Sequence, residues 1–142
     1  MYSGDKLRVA VVCEGDTDLV VIEAMLESIL EGKPVCTMIQ PERADFAGSD
    51  YGEMGSGWKG VRKWCEGKKK SHGDLQSAVQ SQPLVAYDLL VLHVDADIAG
   101  HLQIDVEQPC PPASDTVNAL QAVVLGWCGD ATTPDGGVLC IP

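Results

Sequence analysis

Three acidic residues stand directly after strand-like apolar runs, where a carboxylate can do chemistry. Glu14 follows residues 7–13 (LRVAVVC), and Asp95 and Asp97 follow residues 89–94 (LLVLHV). A hard cation such as Mg²⁺ takes oxygen ligands, commonly one or two carboxylates, and fills its other positions with water and phosphate. Asp95 and Asp97 can both face one ion if the chain turns after the strand, and Gly100 permits a tight turn there. Glu14 would complete the site as a further ligand or accept a proton as a general base. An ion held in this way polarises a phosphoryl oxygen and lowers the pKa of bound water. The same residues also have plainer uses. Asp favours turns and helix caps, and Glu14 can answer the positive end of a following helix.

For these acids to meet, the intervening elements must bring two strand ends together. The valine-rich run 7–13 reads as a buried strand. It stops at Glu14-Gly15, where Gly15 lets the chain turn sharply and Asp16 or Thr17 can cap a helix. The spacing predicts that helix over 18–30, with Leu19, Ile22, Met25, Leu26, Ile29 and Leu30 as its buried stripe and Gly32 and Pro34 as its stop. Residues 35–39 read as a second strand, which closes a βαβ unit. Residues 41–57 read as a loop or insertion, 58–66 as a short basic helix, and 73–80 as another short helix closed by Pro83. After the strand at 89–94, Ser114 is placed to cap a helix over 115–125, and 137–141 reads as a last strand. The alternation predicts one α/β domain over 1–142, with a mostly parallel four-stranded sheet, helices on both faces and an insertion around 41–82. In such sheets ligands bind beyond the carboxyl ends of the strands, the edge on which all three acids emerge. The closing apolar run VLCIP is an odd place for a natural protein to finish, so a truncated chain or the N-terminal part of a longer protein is the expectation.

Composition narrows the function classes. The net charge of −11 argues against a non-specific nucleic-acid coat, yet the charge is unevenly spread. Lys59, Arg62, Lys63, Lys68, Lys69 and Lys70 are six of the ten basic residues, and only Glu66 opposes them within 58–70. Such a segment is either an electrostatic footprint for phosphate or a solubilising face. Trp58 and Trp64 beside it either stack on bases or anchor the segment to the core. The six cysteines form no C-x-x-C pair, and no secretion signal accompanies them, so buried free thiols are expected rather than disulfides or zinc. His93, on a buried strand, reads as a hydrogen-bonded core imidazole, while His101, four residues after Asp97, is a candidate contact for metal or phosphate. No apolar run approaches the ~20 residues that cross a bilayer, and the cytoplasm is the expected compartment.

Residues 13–18 (CEGDTD) after one strand and 95–100 (DADIAG) after a later one resemble the Toprim signature: a glutamate-glycine turn, then D-x-D-x-x-G. The resemblance implies a Rossmann-like Toprim fold, Mg²⁺ (or Mn²⁺) on acidic residues, and cleavage or joining of DNA or RNA strands. Glu14 matches the family's catalytic glutamate and Asp95 and Asp97 its metal-binding pair. Asp18 falls where some members carry a further acid. The glutamate turn most resembles the OLD-like and stand-alone branch, many of which serve phage defence. The distance between the motifs exceeds that of primases and topoisomerases, and nothing here resembles a topoisomerase tyrosine domain, a primase zinc module or a P-loop. Two other readings stand beside this one. A non-catalytic Toprim-like module would bind nucleic acid or protein. A nucleotide-sugar glycosyltransferase would use D-x-D to hold Mn²⁺ and a diphosphate, but gives Glu14-Gly15 no task.

Overall fold

The structure is a computed structural model that describes residues 6–42, 55–95, 98, 113–134 and 138–141. It is an α/β fold with an all-parallel sheet. Three strands form its centre and one edge: β1 (Arg8–Val12), β2 (Val35–Gln40) and β3 (Leu89–His93). A fourth, β4 (Val138–Ile141), pairs in parallel with β3, which gives the order β2-β1-β3-β4. The helices are α1 (Asp16–Ile29), α2 (Gly57–His72), α3 (Leu75–Val79) and α4 (Ala113–Cys128), with a short 3₁₀ turn at Leu84–Ala86.

β1 is the centre of the sheet because its residues suit burial on both faces. Val9, Ala10, Val11 and Val12 are completely buried. Valine is stiff at χ1 and packs well on a pleated surface, and burying each such side chain is worth about 1.5–3 kcal/mol. The two-residue period of the strands sorts side chains between two cores. Val9, Val11, Cys13 and Val91 face Ile22 and Leu26 of α1. Ala10, Val12, Leu90 and Leu92 face a larger cluster with Val61, Trp64 and Cys65 of α2, Leu75 of α3, and Leu120, Val124 and Cys128 of α4. Helices therefore cover both faces.

Several details differ from the sequence reading. α2 runs on to His72, through Gly60 and Gly67, because its apolar residues are held against the sheet by burial. Trp64 is buried and Trp58 partly so, so both anchor the basic helix to the core. On α1 only Ile22 and Leu26 are buried, whereas Met25 and Ile29 are 46% and 72% exposed, since a single row of the helix reaches the sheet. α1 begins at Asp16, so neither Asp16 nor Thr17 is its cap, and Ser114 falls inside α4 rather than before it. Gly15 is extended (φ −176°), so the turn after β1 makes no use of a left-handed glycine.

Long-range polar contacts tie the elements together. Asp130, beyond α4, accepts hydrogen bonds from the backbone N–H groups of Leu75 (2.8 Å) and Gln76 (3.3 Å), satisfying donors at the start of α3. Gln40, buried at the end of β2, donates through Nε2 to the Gly55 carbonyl at 2.8 Å. Gly60 of α2 sits against that pair. A Cβ at Gly60 would lie 2.6 Å from the Gly55 oxygen and 2.8 Å from Gln40 Nε2, whereas a Cβ at Gly67 would meet nothing within 4 Å.

This contrast gives opposite expectations for one chemical change in one helix. Gly67→Ala should stabilise the protein by about 0.5–1 kcal/mol through the higher helix propensity of alanine. Gly60→Ala should destabilise it by about 1–3 kcal/mol, because overpacking against backbone outweighs propensity. Denaturant midpoints of the two variants measure both. A gain at Gly60 would show that α2 does not approach the Gly55 backbone so closely.

Candidate metal centre

Parallel pairing of β1 with β3 sets Val9 opposite Leu89 and Val12 opposite Leu92. The residues that follow the two strands therefore emerge side by side at their carboxyl ends. Glu14 and Asp95 meet there: the Glu14 carboxylate (Oε2) accepts a hydrogen bond from the backbone N–H of Asp95. The edge is also a topological switch point. From β1 the chain turns through α1 to β2 on one side, and from β3 it turns through α4 to β4 on the other. Such a divergence opens a crevice between the two central strands, where open α/β sheets bind ligands.

Two further side chains complete the cluster. Asp18, in the first turn of α1, accepts at Oδ2 from the N–H groups of Glu14 and Gly15, both at 3.1 Å. That reach-back fixes the loop after β1, as an acidic residue at the third position of a helix commonly does. Its other oxygen, Oδ1, lies 3.8 Å from His93 Nε2. His93 is the last residue of β3 and shares its parity with Val91, so it projects to the α1 face. Its Nε2 is 3.3 Å from Asp95 Oδ1. Asp18, His93 and Asp95 thus each present one donor atom, and these atoms all lie within 4.8 Å of one another. Asp18 and His93 are partly buried and form the floor, while the Asp95 side chain, 52% exposed, forms an open rim.

The donor set fits a divalent cation. Two carboxylate oxygens and an imidazole nitrogen lie within 4.8 Å of one another, and a third carboxylate is joined to them through the Asp95 amide. Asp97, Gly100 and His101, which the sequence reading placed in this site, lie outside the described residues, so the site is built here from Glu14, Asp18, His93 and Asp95. Asp18 enters as a member in its own right. His93 corrects the sequence reading: it is at the end of the strand among carboxylates, not an imidazole enclosed by the core. The signal was available in its parity with Leu89 and Val91, which points it to the same side as the first turn of α1.

The basic helix starts at this edge. The Gly57 N–H, in the first turn of α2, donates to the Glu14 carbonyl oxygen at 2.8 Å. From there α2 carries Lys59, Arg62, Lys63, Lys68, Lys69 and Lys70. Trp58 stacks on Trp127 of α4 with ring centroids 6.2 Å apart, and the Arg62 guanidinium lies 5.9 Å from the Trp127 ring centre. Arg62 is also paired with Glu66 at 3.3 Å, an exposed i,i+4 contact of small energetic weight.

Cys13 lies beside Glu14 but is not a nucleophile. Burial pushes its thiol up to about 12 and the neighbouring carboxylates of Asp18, Asp16 and Glu14 add to the rise, while a hydrogen bond with the Gly15 backbone opposes it only in part. The raised value favours the neutral thiol at every pH below that range, so little thiolate exists near neutrality. In the native protein at pH 8, iodoacetamide should leave Cys13 unmodified, and modification should appear only in denaturant. Peptide mapping of alkylated cysteines reads this directly, and rapid native alkylation of Cys13 would contradict the buried position. No family model, curated protein or solved structure matches this chain, so the reading of the site rests on its own residues.

Proposed function

We propose that the protein is a Toprim-like, metal-dependent phosphodiester enzyme acting on nucleic acid, with Glu14, Asp18, His93 and Asp95 at its centre. One observation carries the reading: Glu14 and Asp95 come from the two central parallel strands and are joined at the switch point of the sheet. That is the juxtaposition the Glu-Gly and D-x-D resemblance requires, and a sugar-transfer D-x-D would give Glu14 no such task. Asp97, two residues after Asp95, belongs to the proposed site through the motif.

A bound Mg²⁺ or Mn²⁺ would supply charge to stabilise the phosphoryl group and lower the pKa of water. Asp95, at the exposed rim, is placed to hold the ion where substrate arrives. Asp18 orients the loop after β1, so Glu14 is fixed before substrate binds. Glu14 in turn holds the Asp95 backbone and is the group on this edge placed to accept a proton. The basic face of α2, beginning beside Glu14, supports an approach path for a phosphate backbone on a chain whose net charge of −11 would otherwise repel it.

The decisive experiment is a cleavage assay on single- and double-stranded DNA and RNA with Mg²⁺ or Mn²⁺. Asp95→Ala should abolish cleavage, because the electrostatic contribution of a bound ion is among the largest in such catalysis. Glu14→Gln keeps an oxygen that can accept from the Asp95 amide but cannot take a proton. It should stay folded and lose turnover by about 10²–10⁴-fold, the range of general-base contributions. Folded, metal-binding protein that leaves all four substrates intact would overturn the nuclease reading, and a nucleotide-sugar transfer assay would then separate glycosyltransferase from binding module.

A further inference from the structure

Carboxylates alone would make this edge a magnesium site, but the imidazole is the donor that magnesium does not seek. We infer that His93 is an inner ligand of the ion through Nε2, and that it makes the centre select a first-row transition metal such as Mn²⁺ over Mg²⁺. The inference deepens the proposed function and rests on the metal reading of this edge.

Geometry supports direct ligation. Ligand atoms about 2.1 Å from a shared octahedral ion stand about 3.0 Å apart when adjacent and about 4.2 Å apart when opposite. His93 Nε2 lies 3.3 Å from Asp95 Oδ1, close to the adjacent separation, and 3.8 Å from Asp18 Oδ1, and the three donor atoms all lie within 4.8 Å of one another. The strand fixes that direction: His93 ends β3 on the α1 face, and α1 begins at the same edge with Asp18 in its first turn. Donor chemistry then sets the preference. Oxygen-only sets suit Mg²⁺ and Ca²⁺, whereas an imidazole added to carboxylates suits Mn²⁺ and the later divalent ions. Mg²⁺ also dehydrates reluctantly and prefers to keep water where the imidazole would sit.

The test uses Mn²⁺ as its own spectroscopic probe. The unmutated chain, with one equivalent of Mn²⁺, should give an electron spin-echo signal modulated by a directly bound ¹⁴N nucleus. That modulation should be replaced by the ¹⁵N pattern when only the histidines are ¹⁵N-labelled. This arm needs no variant and shows that a histidine is bound; His101→Gln, which should keep the nitrogen signal, assigns it to His93. In a competition titration, displacing Mn²⁺ should require more than tenfold excess of Mg²⁺. His93→Gln should remove the nitrogen signal and weaken Mn²⁺ binding by about 10–100-fold, with a smaller effect on Mg²⁺, so the preference narrows. Asp95→Asn should weaken both ions. Mn²⁺ bound without nitrogen coupling, or with an unchanged Mn²⁺ to Mg²⁺ ratio in His93→Gln, would overturn the inference and leave the carboxylate site standing. Failure of the unmutated chain to bind either ion would overturn the metal reading, and the inference with it.

Discussion

The pairing of β1 with β3 is bracketed at both ends by a carboxylate that takes a backbone N–H from the other strand's end. At the amino end, Asp88 Oδ2 accepts from the Arg8 N–H at 2.8 Å, and the Asp88 N–H donates in return to the Arg8 carbonyl at 2.8 Å. At the carboxyl end, Glu14 accepts from the Asp95 N–H. Between these brackets lie fully buried valines and leucines that leave no room for a register shift. A slip of one residue would exchange the side chains facing α1 with those facing α2, α3 and α4. The register therefore fixes the core and the site together. If β1 and β3 keep their pairing, Glu14 and Asp95 cannot be separated.

Acidic groups gather at this edge. Asp18 and Asp95 present oxygens to the same imidazole nitrogen, Glu14 stands beside them, and the chain as a whole carries −11. The protein answers in part with backbone: the Glu14, Gly15 and Asp95 N–H groups all point at carboxylate oxygens. These donors orient the acids without neutralising them. A divalent ion would neutralise and organise them at once. The basic face of α2, anchored by Trp58 and Trp64, offers the complementary charge nearby.

Much of this could be read from residue types, and the remainder depended on partners that local sequence does not name. Runs of valine and leucine flanked by glycine and acidic residues marked β1 and β3, and the logic of parallel sheets then put Glu14 and Asp95 on one edge. The α1 stripe was drawn too wide. Helical periodicity marks every apolar row, but only Leu19, Ile22, Leu26 and Leu30 pack against the sheet-side core, and Met25 and Ile29 are left outside. α2 passes through both Gly60 and Gly67 and ends at His72, beyond the helix expected over 58–66. Gly60 is there because Gln40 and Gly55 come within contact of its Cα, a tertiary requirement with no local trace. His93 was missed because its parity with Leu89 and Val91 assigns it to one face of the sheet, but a strand buried on both faces does not say which helix covers that face. Only the placement of α1 on the odd-numbered face turns that imidazole toward Asp18.

The central claim is that the carboxyl edge of β1 and β3 holds a divalent ion. Paramagnetic broadening tests it most directly, since Mn²⁺ bleaches amide signals according to distance from the bound ion. In a ¹⁵N-labelled protein titrated with substoichiometric Mn²⁺, the first signals to vanish should be those of Glu14, Gly15, Val94 and Asp95. Signals from the far end of α1, around Glu27 and Glu31, should persist. Bleaching centred on Glu23, Glu27 and Glu31, or uniform weak broadening with no focus, would mean that Mn²⁺ samples acidic surface and that the Glu14–Asp95 edge is not a metal centre.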